Sequence, residues 1–238
     1  MAYKEFQLDG VGNVTVYKRR GSQNIRLTVG ENGKIKVTIP AWASFRAGVG
    51  FAEARAGWIQ EHLVSHTTKL LREGQAIGKA HRLHFVADNV TTSAVARIRG
   101  SEIIVHHAPQ LPPTATVVQK KAADAALRAL RLQAKKLLKQ RLDALAVAHD
   151  YAYRSLSVKQ LKSRWGSCDQ DKNIVLNIYL MQLPWHLIDY VIMHELAHTK
   201  VLRHGTPFWQ EMQRYTPHAK RLRTELHTYQ PVLGIQNH

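Results

Sequence analysis

The feature that most constrains the fold of this 238-residue chain is the pentapeptide His194-Glu195-Leu196-Ala197-His198. Positions i and i+4 share one face of an α-helix, so the two imidazoles can reach a single metal ion. Neutral imidazole suits Zn²⁺, which it binds at about 2.0–2.1 Å. The preceding residues, Asp189 to Met193, are mainly apolar and contain no glycine, which predicts a helix that runs into the motif. We therefore expect a helix that fixes both histidines, with Glu195 offset beside the ion.

A catalytic zinc site needs a third protein ligand and one open coordination position. His204 is the leading candidate, because it follows His198 by six residues, the spacing that metzincins use. Metzincins place glycine where this chain has Val201, and no later Met-turn is evident, so that lineage is not expected. Glu211 is the alternative ligand, since a helix around Phe208-Trp209 could return its carboxylate to the site.

The predicted site also indicates a hydrolytic mechanism. Zinc would lower the pKa of its water to about 7, and Glu195 would accept the proton and later return it to the leaving group. A group that stabilises the developing oxyanion is expected as well. Nothing in the spacing selects among the candidates, which are Tyr179, Tyr190, Tyr215 and His218.

Arg164 and Trp165 are candidate substrate-binding residues. They lie in a predicted turn before the strand that leads to the zinc helix, and a guanidinium there could hold a carboxylate or a phosphate. The alternative is structural, with the tryptophan anchoring the turn and the arginine closing an ion pair. Cys168, the single cysteine, is not expected to act as a nucleophile, because no base is assigned to it.

The charge balance indicates a polyanionic partner. The chain carries 34 Lys and Arg against 17 Asp and Glu, a formal net charge of +17, which suits nucleic acid, nucleotides or an anionic membrane face without choosing among them. One predicted helix carries a stripe of basic residues, Arg128, Arg131, Lys135 and Lys139. This stripe is either a phosphate-binding face or only the solvent-exposed flank of the helix.

One cysteine excludes a disulfide-stapled scaffold. The chain shows no apolar leader segment and no apolar run long enough to span a membrane, so a cytoplasmic protein without a membrane partner is expected. The oligomeric state stays open.

The pattern of the first half is typical of β structure. Alternating apolar residues predict paired strands at 25–29 and 35–39, and an apolar face predicts a helix over about 49–71. Short antiparallel strands are expected within 81–105. The proline-rich stretch 108–114 predicts a linker, because its prolines oppose both helix and sheet.

The second half is predicted to be mainly helical. The expected elements are a long helix over 117–148, strands at 156–161 and 173–178 that bracket a turn at 163–168, a helix from Pro184 through His198, and two helices that begin at Thr206-Pro207 and Thr216-Pro217 and end near Tyr229. We therefore expect an α+β fold, with a β-rich N-terminal region over 1–113 and a catalytic region over 114–238, unless one continuous domain spans about 25–230.

An ordered set of motifs resembles the YgjP-like metal-dependent hydrolases, a zincin family similar to SprT-like proteases. The motifs are Arg164-Trp165-Gly166-Ser167-Cys168, Asn177, Asp189-Tyr190-Val191, His194-Glu195-Leu196-Ala197-His198, His204 and Phe208-Trp209, with upstream matches at the strands ending at Pro40, at Trp58-Ile59 and around Gly74 and Gly78. The resemblance implies a zincin-like catalytic half, in which a small antiparallel sheet packs on the motif-bearing helix. It also implies His194, His198 and His204 as ligands of one zinc ion, with Glu195 as the base.

The function expected on these grounds is zinc-dependent hydrolysis by a metallopeptidase, with a peptide amide as the default substrate. An alternative on the same fold, which the resemblance also implies, is a metal-dependent nucleoside triphosphate pyrophosphatase that hydrolyses a phosphoanhydride. A third hypothesis is a non-catalytic, zinc-stabilised module that binds nucleic acid through its basic surface. The intact Glu195 and the lack of a fourth Cys or His at structural-site spacing argue against that module.

Overall fold

The computed structural model describes residues 2–30, 34–65, 70–229 and 233, without the side chains of 61–65. The chain folds into two compact units, 1–69 and 70–238. This division differs from the one expected after residue 113, because the strands within 76–107 share a hydrophobic core with the long helix that follows them. The α+β class is confirmed, with a β-rich first half and a helical second half.

The first unit is a four-stranded sheet with two helices packed on one face. Its elements are β1 (Tyr3–Leu8), β2 (Gly12–Arg19), β3 (Arg26–Val29), β4 (Ile35–Pro40), α1 (Phe45–Glu53) and α2 (Ala56–Ser65). The strand order is β1-β2-β4-β3, with β2 and β4 parallel and the other pairs antiparallel. The predicted pairing of 25–29 with 35–39 is confirmed as β3 on β4.

Alternation decides which face of this sheet is buried, since successive side chains point to opposite faces. The fully buried positions are Val14 and Val16 in β2 and Val37 and Ile39 in β4. Helix α1 approaches them closely through Gly48, where an added Cβ would lie only 2.7 Å from Cγ1 of Val16. The other face of the sheet is left to polar and aromatic side chains.

The helix predicted over about 49–71 is wrong in extent. Helix α1 begins at Phe45, where the Ser44 hydroxyl accepts the Ala47 N–H and caps the first turn. It ends where the hydrogen bonding changes from i→i−4 to i→i−3, since the Arg55 N–H donates to the Ala52 carbonyl, and α2 begins at the next residue. The last part of the predicted helix, 66–69, lies outside the described residues.

The second unit begins with a four-stranded sheet packed on a 33-residue helix. Its elements are β5 (Ala76–Ile77), β6 (His81–Ala87), β7 (Ala94–Arg99), β8 (Glu102–His107) and α3 (Thr116–Ala148). The order is β5-β6-β8-β7. Of the strands expected within 81–105, β7 and β8 are antiparallel as predicted, but β6 runs parallel to β8. Strand β5, which was not predicted, pairs antiparallel with β6. The predicted long helix over 117–148 is confirmed by α3.

A second, three-stranded sheet and three helices complete the chain. They are β9 (Ser155–Lys159), β10 (Gly166–Cys168), β11 (Asn173–Asn177), a 3-10 helix (Ile178–Gln182), α4 (Trp185–His198), α5 (Thr206–Tyr215) and α6 (Ala219–Thr228). The predicted helix that ends at His198 is confirmed. Helix α6 begins two residues later than Pro217, so the Thr216-Pro217 pair does not cap it.

The small sheet differs from the expected antiparallel sheet in that one strand pair is parallel and in that part of the predicted turn forms a strand. Its order is β10-β11-β9, and β9 is parallel to β11, because the segment after β9 crosses to the far side of β11 before the β10–β11 hairpin returns. Residues 166–168 of the predicted turn form an edge strand. Three residues are too few to show alternation, which is why the pattern did not predict β10.

Candidate metal centre

Helix α4 holds the His-Glu-Leu-Ala-His motif on a fixed, largely buried element. Its apolar side chains, Leu187, Ile188, Val191 and Ile192, belong to the core of the second unit. Helix α3 restrains it further, because Nε and Nη2 of Arg141 donate to the two carboxylate oxygens of Asp189, each at 2.6 Å. His194 is half-buried at the C-terminal end of α4, while Glu195 and His198 are buried.

His204 lies in the connection between α4 and α5 and returns to the motif. Its Nε2 is 2.9 Å from Nε2 of His194 and 3.1 Å from Nε2 of His198. The three ligating atoms all lie within 4.8 Å of one another. The structure therefore brings together the three histidines that the sequence placed at spacings of four and six residues.

The donor set fits a divalent metal ion. Burial lowers the pKa of His194 to about 3 and also lowers the pKa of His198, so both rings are neutral and can ligate. Nδ1 of His198 lies 3.1 Å from the carbonyl oxygen of Val201, which satisfies that nitrogen and leaves Nε2 for the ion. Ligands about 2.0–2.1 Å from a tetrahedral ion are about 3.4 Å apart, close to the observed separations.

Phe208 packs against the rings of all three histidines. Its fully buried ring has its centroid 4.8 Å from the ring centroids of His194 and His204 and 4.5 Å from that of His198. Trp209 lies at the side, with its ring centroid 6.4 Å from that of His204. Reasoning from spacing gave neither aromatic a role at the metal site. The available signal was Thr206-Pro207, which starts α5 shortly after His204 and so places both rings in the first turn of that helix.

Glu195 lies against the edge strand β10. A Cβ added to Gly166 would be 2.6 Å from Oε1 of Glu195 and 2.9 Å from both Cδ and Cγ, so only glycine allows the carboxylate to sit where it does. Burial raises the pKa of Glu195 to about 8, and the positive charge of Arg164 acts against that rise. The carboxyl group is therefore able to hold a proton near neutral pH.

Arg164 and Trp165 are placed differently from each other. Arg164 is exposed and close enough to Glu195 to influence its pKa, while Trp165 is half-buried and packs on the core of the second unit. Asn177 fixes the loop that carries them, because its buried Nδ2 donates to the carbonyl oxygens of Leu161 and Arg164 at 2.9 and 2.8 Å. Of the two predicted substrate-binding residues, Arg164 acts electrostatically on Glu195, whereas Trp165 is part of the packing.

The profile of a family described as YgjP-like, metallopeptidase domain, matches residues 23–229. The chain belongs to the YgjP-like family. A metallopeptidase-type domain with a site for a divalent metal is therefore shown at the family level, and the resemblance seen in the motifs is confirmed.

Two solved structures are similar to parts of the YgjP-like domain. The metallopeptidase zymogen of Pyrococcus abyssi, abylysin, is 23% identical, with 38% of this chain and 92% of that chain covered and a TM-score of 0.36. The zymogen of Methanocaldococcus jannaschii, jannalysin, is 22% identical, with 37% and 92% covered and a TM-score of 0.34. The comparison with curated proteins found no match. Among the described helices, none combines the length and the hydropathy needed to span a bilayer.

Glu211, the alternative third ligand, has other partners in the YgjP-like domain. Its Oε1 accepts a hydrogen bond from the Tyr151 hydroxyl at 2.8 Å and lies 3.4 Å from Nζ of Lys200, while its Oε2 accepts from Arg214 at 3.2 Å. Burial raises the pKa of this carboxyl group, but the hydrogen bonds from Tyr151 and Lys200 together with the Lys200 charge lower it overall. Glu211 therefore ties α5 to the end of α4 rather than joining the three histidines.

The four residues predicted as candidates for oxyanion stabilisation have different surroundings in the structure. Tyr190 is buried, and its ring centroid is 6.1 Å from that of His194. The Tyr179 hydroxyl accepts a hydrogen bond from Gln160 at 2.7 Å, and Tyr215 packs between His149 and Tyr151. His218 is the residue that precedes α6, at its N-terminus.

Arg223 of α6 is a site residue that the sequence did not indicate. Its guanidinium carbon is 5.6 Å from the Trp209 ring centroid. Burial lowers the pKa of His194 and the Arg223 charge adds to that effect, whereas burial raises the pKa of Tyr190 and the Arg223 charge acts against the rise. The side chain is exposed, and it belongs to a helix that begins at Ala219, beyond all three histidines in the chain. The metal centre thus has a cation on each of two elements, Arg164 before β10 and Arg223 on α6.

Proposed function

We propose that this chain is a zinc-dependent metallopeptidase in which His194, His198 and His204 hold one Zn²⁺ and Glu195 is the general base. The observation that carries the proposal is the convergence of three imidazole Nε2 atoms beside Glu195, whose buried carboxylate is on α4, the helix that also carries His194 and His198. A closed structural site would instead use a fourth protein ligand. Among the described residues, the group that can hold a metal contains these three histidines alone, which leaves a coordination position for substrate and water.

When bound there, a divalent ion supplies Lewis-acid polarisation of the scissile group and lowers the pKa of water. Glu195 holds the proton that leaves the attacking water and delivers it to the departing nitrogen. Gly166 and the burial of Glu195 keep the carboxylate in one position. Arg164 and Arg223 add positive charge at the rim, where an oxyanion or a substrate carboxylate would be stabilised.

Strand β10 supports a peptide as the substrate. It is an edge strand of its sheet, paired on one side with β11, and Gly166 within it lies directly against Glu195. The free side of an edge strand presents backbone N–H and C=O groups that can pair with an extended peptide. A peptide aligned in this way would pass beside the base and the three histidines.

The two arginines also favour a second candidate, the hydrolysis of a nucleoside triphosphate phosphoanhydride. Guanidinium groups bind phosphate oxygens in bidentate fashion, and Arg164 and Arg223 act on the site from two elements. The base and the ligands would keep the same roles. Only the electrophile differs between the two candidates.

The two candidates are tested side by side with the purified, zinc-loaded full-length chain. One arm measures cleavage of a quenched-fluorescent peptide library, and the other measures release of pyrophosphate or phosphate from a panel of nucleoside triphosphates. A chelator-treated sample and the Glu195→Gln variant serve as controls. Chelator-sensitive peptide cleavage supports the metallopeptidase, and nucleotide hydrolysis alone supports the second candidate. A zinc-loaded chain that turns over neither substrate class refutes both.

A further inference from the structure

The solvent face of the sheet in the first unit carries a row of four side chains, one from each strand, that begins with two tyrosines and ends with an arginine. In the strand register, Tyr3 pairs with Tyr17, Tyr17 with Thr38, and Thr38 with Arg26. Neighbouring strands are about 4.8 Å apart, so the row is about 14 Å long. Tyr3 keeps 58% of its surface exposed, and Arg26 is exposed as well. Helices α1 and α2 pack on the opposite face.

The two tyrosines and a lysine form a stack that is open at its outer end. The ring centroids of Tyr3 and Tyr17 are 5.4 Å apart, with an angle of 27° between the planes. Nζ of Lys36 lies 4.3 Å from the Tyr17 ring centroid. Because β1 is the edge strand, Tyr3 stands at the outer end of this stack. A further planar ring can therefore stack on Tyr3 and extend the series.

The charge on this face is mainly positive. Arg19, Arg26 and Lys36 are exposed, and each lies on the same side of its strand as the tyrosines, because side chains alternate along a strand. On the described strand positions of this face, Glu5 is the one carboxylate. The face thus combines an open aromatic stack with cations on three strands.

We propose that this sheet face binds single-stranded nucleic acid, with a base stacked on Tyr3 and phosphates held by Arg19, Arg26 and Lys36. A flat sheet with aromatic rings and flanking cations is a recurring platform for single strands, whose unpaired bases offer a free face. The bases of a duplex are already stacked on one another and cannot use the tyrosines. Strands β1 and β2 precede residue 23, where the match to the family begins, so part of this surface lies outside that match.

The test measures the affinity of the full-length chain for fluorescein-labelled 12-nucleotide oligo(U) and oligo(dT) and for a 12-base-pair duplex, by fluorescence anisotropy at several salt concentrations. Tyr3→Ala is expected to weaken single-strand binding by about 5- to 150-fold, whereas Tyr3→Phe keeps the ring and stays within about twofold. Lys36→Gln should lower the slope of log Kd against log salt by about 0.7. Arg131→Gln, which removes a cation from α3 in the other unit, is the matched control.

Tighter binding of either single strand than of the duplex, with the Tyr3→Ala loss and the Tyr3→Phe rescue, supports the proposal, and the two single-strand arms show whether the sugar matters. The proposal is overturned if no single strand binds at 50 mM salt, or if the duplex binds more tightly. It is also overturned if Tyr3→Ala binds like the unmodified chain, or if Arg131→Gln causes an equal loss. Circular dichroism melting of each variant verifies that the sheet is intact.

Discussion

Replacing Gly166 with alanine tests whether the position of Glu195 depends on the edge strand. The added Cβ would lie 2.6 Å from Oε1 of Glu195, whereas ordinary contacts begin at 3.4 Å. The carboxylate or β10 must therefore move by about 0.8 Å. The three histidines are carried by α4 and its C-terminal connection, so they are not displaced by this change.

A misplacement of about 1 Å in a catalytic group can reduce the rate about 100-fold. We therefore expect Gly166→Ala to lower kcat about 30- to 100-fold, which corresponds to about 2–3 kcal/mol in the activation barrier. The zinc content should stay at the level of the unmodified chain. The reason is that the substitution moves the proposed base and leaves the ligands in place.

The assay combines initial rates on the substrate identified in the two-arm screen with metal analysis of the same protein samples. Gly205→Ala is the matched control, because it also adds one Cβ next to a ligand but meets only Cδ of Pro207, at 3.6 Å. We expect that variant to keep most of its activity. Full activity of Gly166→Ala with normal zinc content would refute the reasoning, since Glu195 would then tolerate displacement or have no part in the reaction.

Three further predictions concern the metal ligands, the general base and Phe208. His204→Ala should weaken zinc binding by more than about 100-fold, since even the partners of a ligand contribute about 10- to 100-fold, while Glu211→Gln should keep its zinc; full occupancy of His204→Ala would assign the third ligand to Glu211 instead. Glu195→Gln should retain zinc and lose about 10²- to 10⁴-fold in turnover, the usual contribution of a general base, and normal turnover would exclude that role. Phe208→Ala should lower the free energy of unfolding by about 3–5 kcal/mol, as for other buried phenylalanines, and reduce zinc affinity; urea denaturation and metal titration would contradict this if both were unchanged.

Much of the candidate site followed from local spacing. The i, i+4 geometry of a helix dictates that His194 and His198 share a face, and α4 ends at His198 as expected. The apolar periodicity of α3 and the alternation in β3 and β4 were equally readable. In each case a single element contains the whole pattern, so no knowledge of packing is required.

The choice between His204 and Glu211 shows where local spacing stops being informative. Both lie beyond the end of α4, and either could return to the site depending on how the connection and α5 fold. The tertiary structure engages Glu211 with Tyr151 and Lys200 and places His204 Nε2 at 2.9 Å from His194. Sequence reasoning favoured His204, but only packing separates the two side chains.

Residue spacing and composition were sufficient to predict which helix carries the ligand pair, the general class of the fold and the excess of positive charge. The contacts between distant elements became known only from the packed chain: the Gly166 backbone against Glu195, the Phe208 ring against the histidines, and Arg223 beside Trp209. Helix geometry repeats at a fixed interval along the chain, and residue spacing therefore records it. Contacts between elements arise only when separate helices and strands bury their apolar faces together, and no fixed interval in the chain encodes that packing.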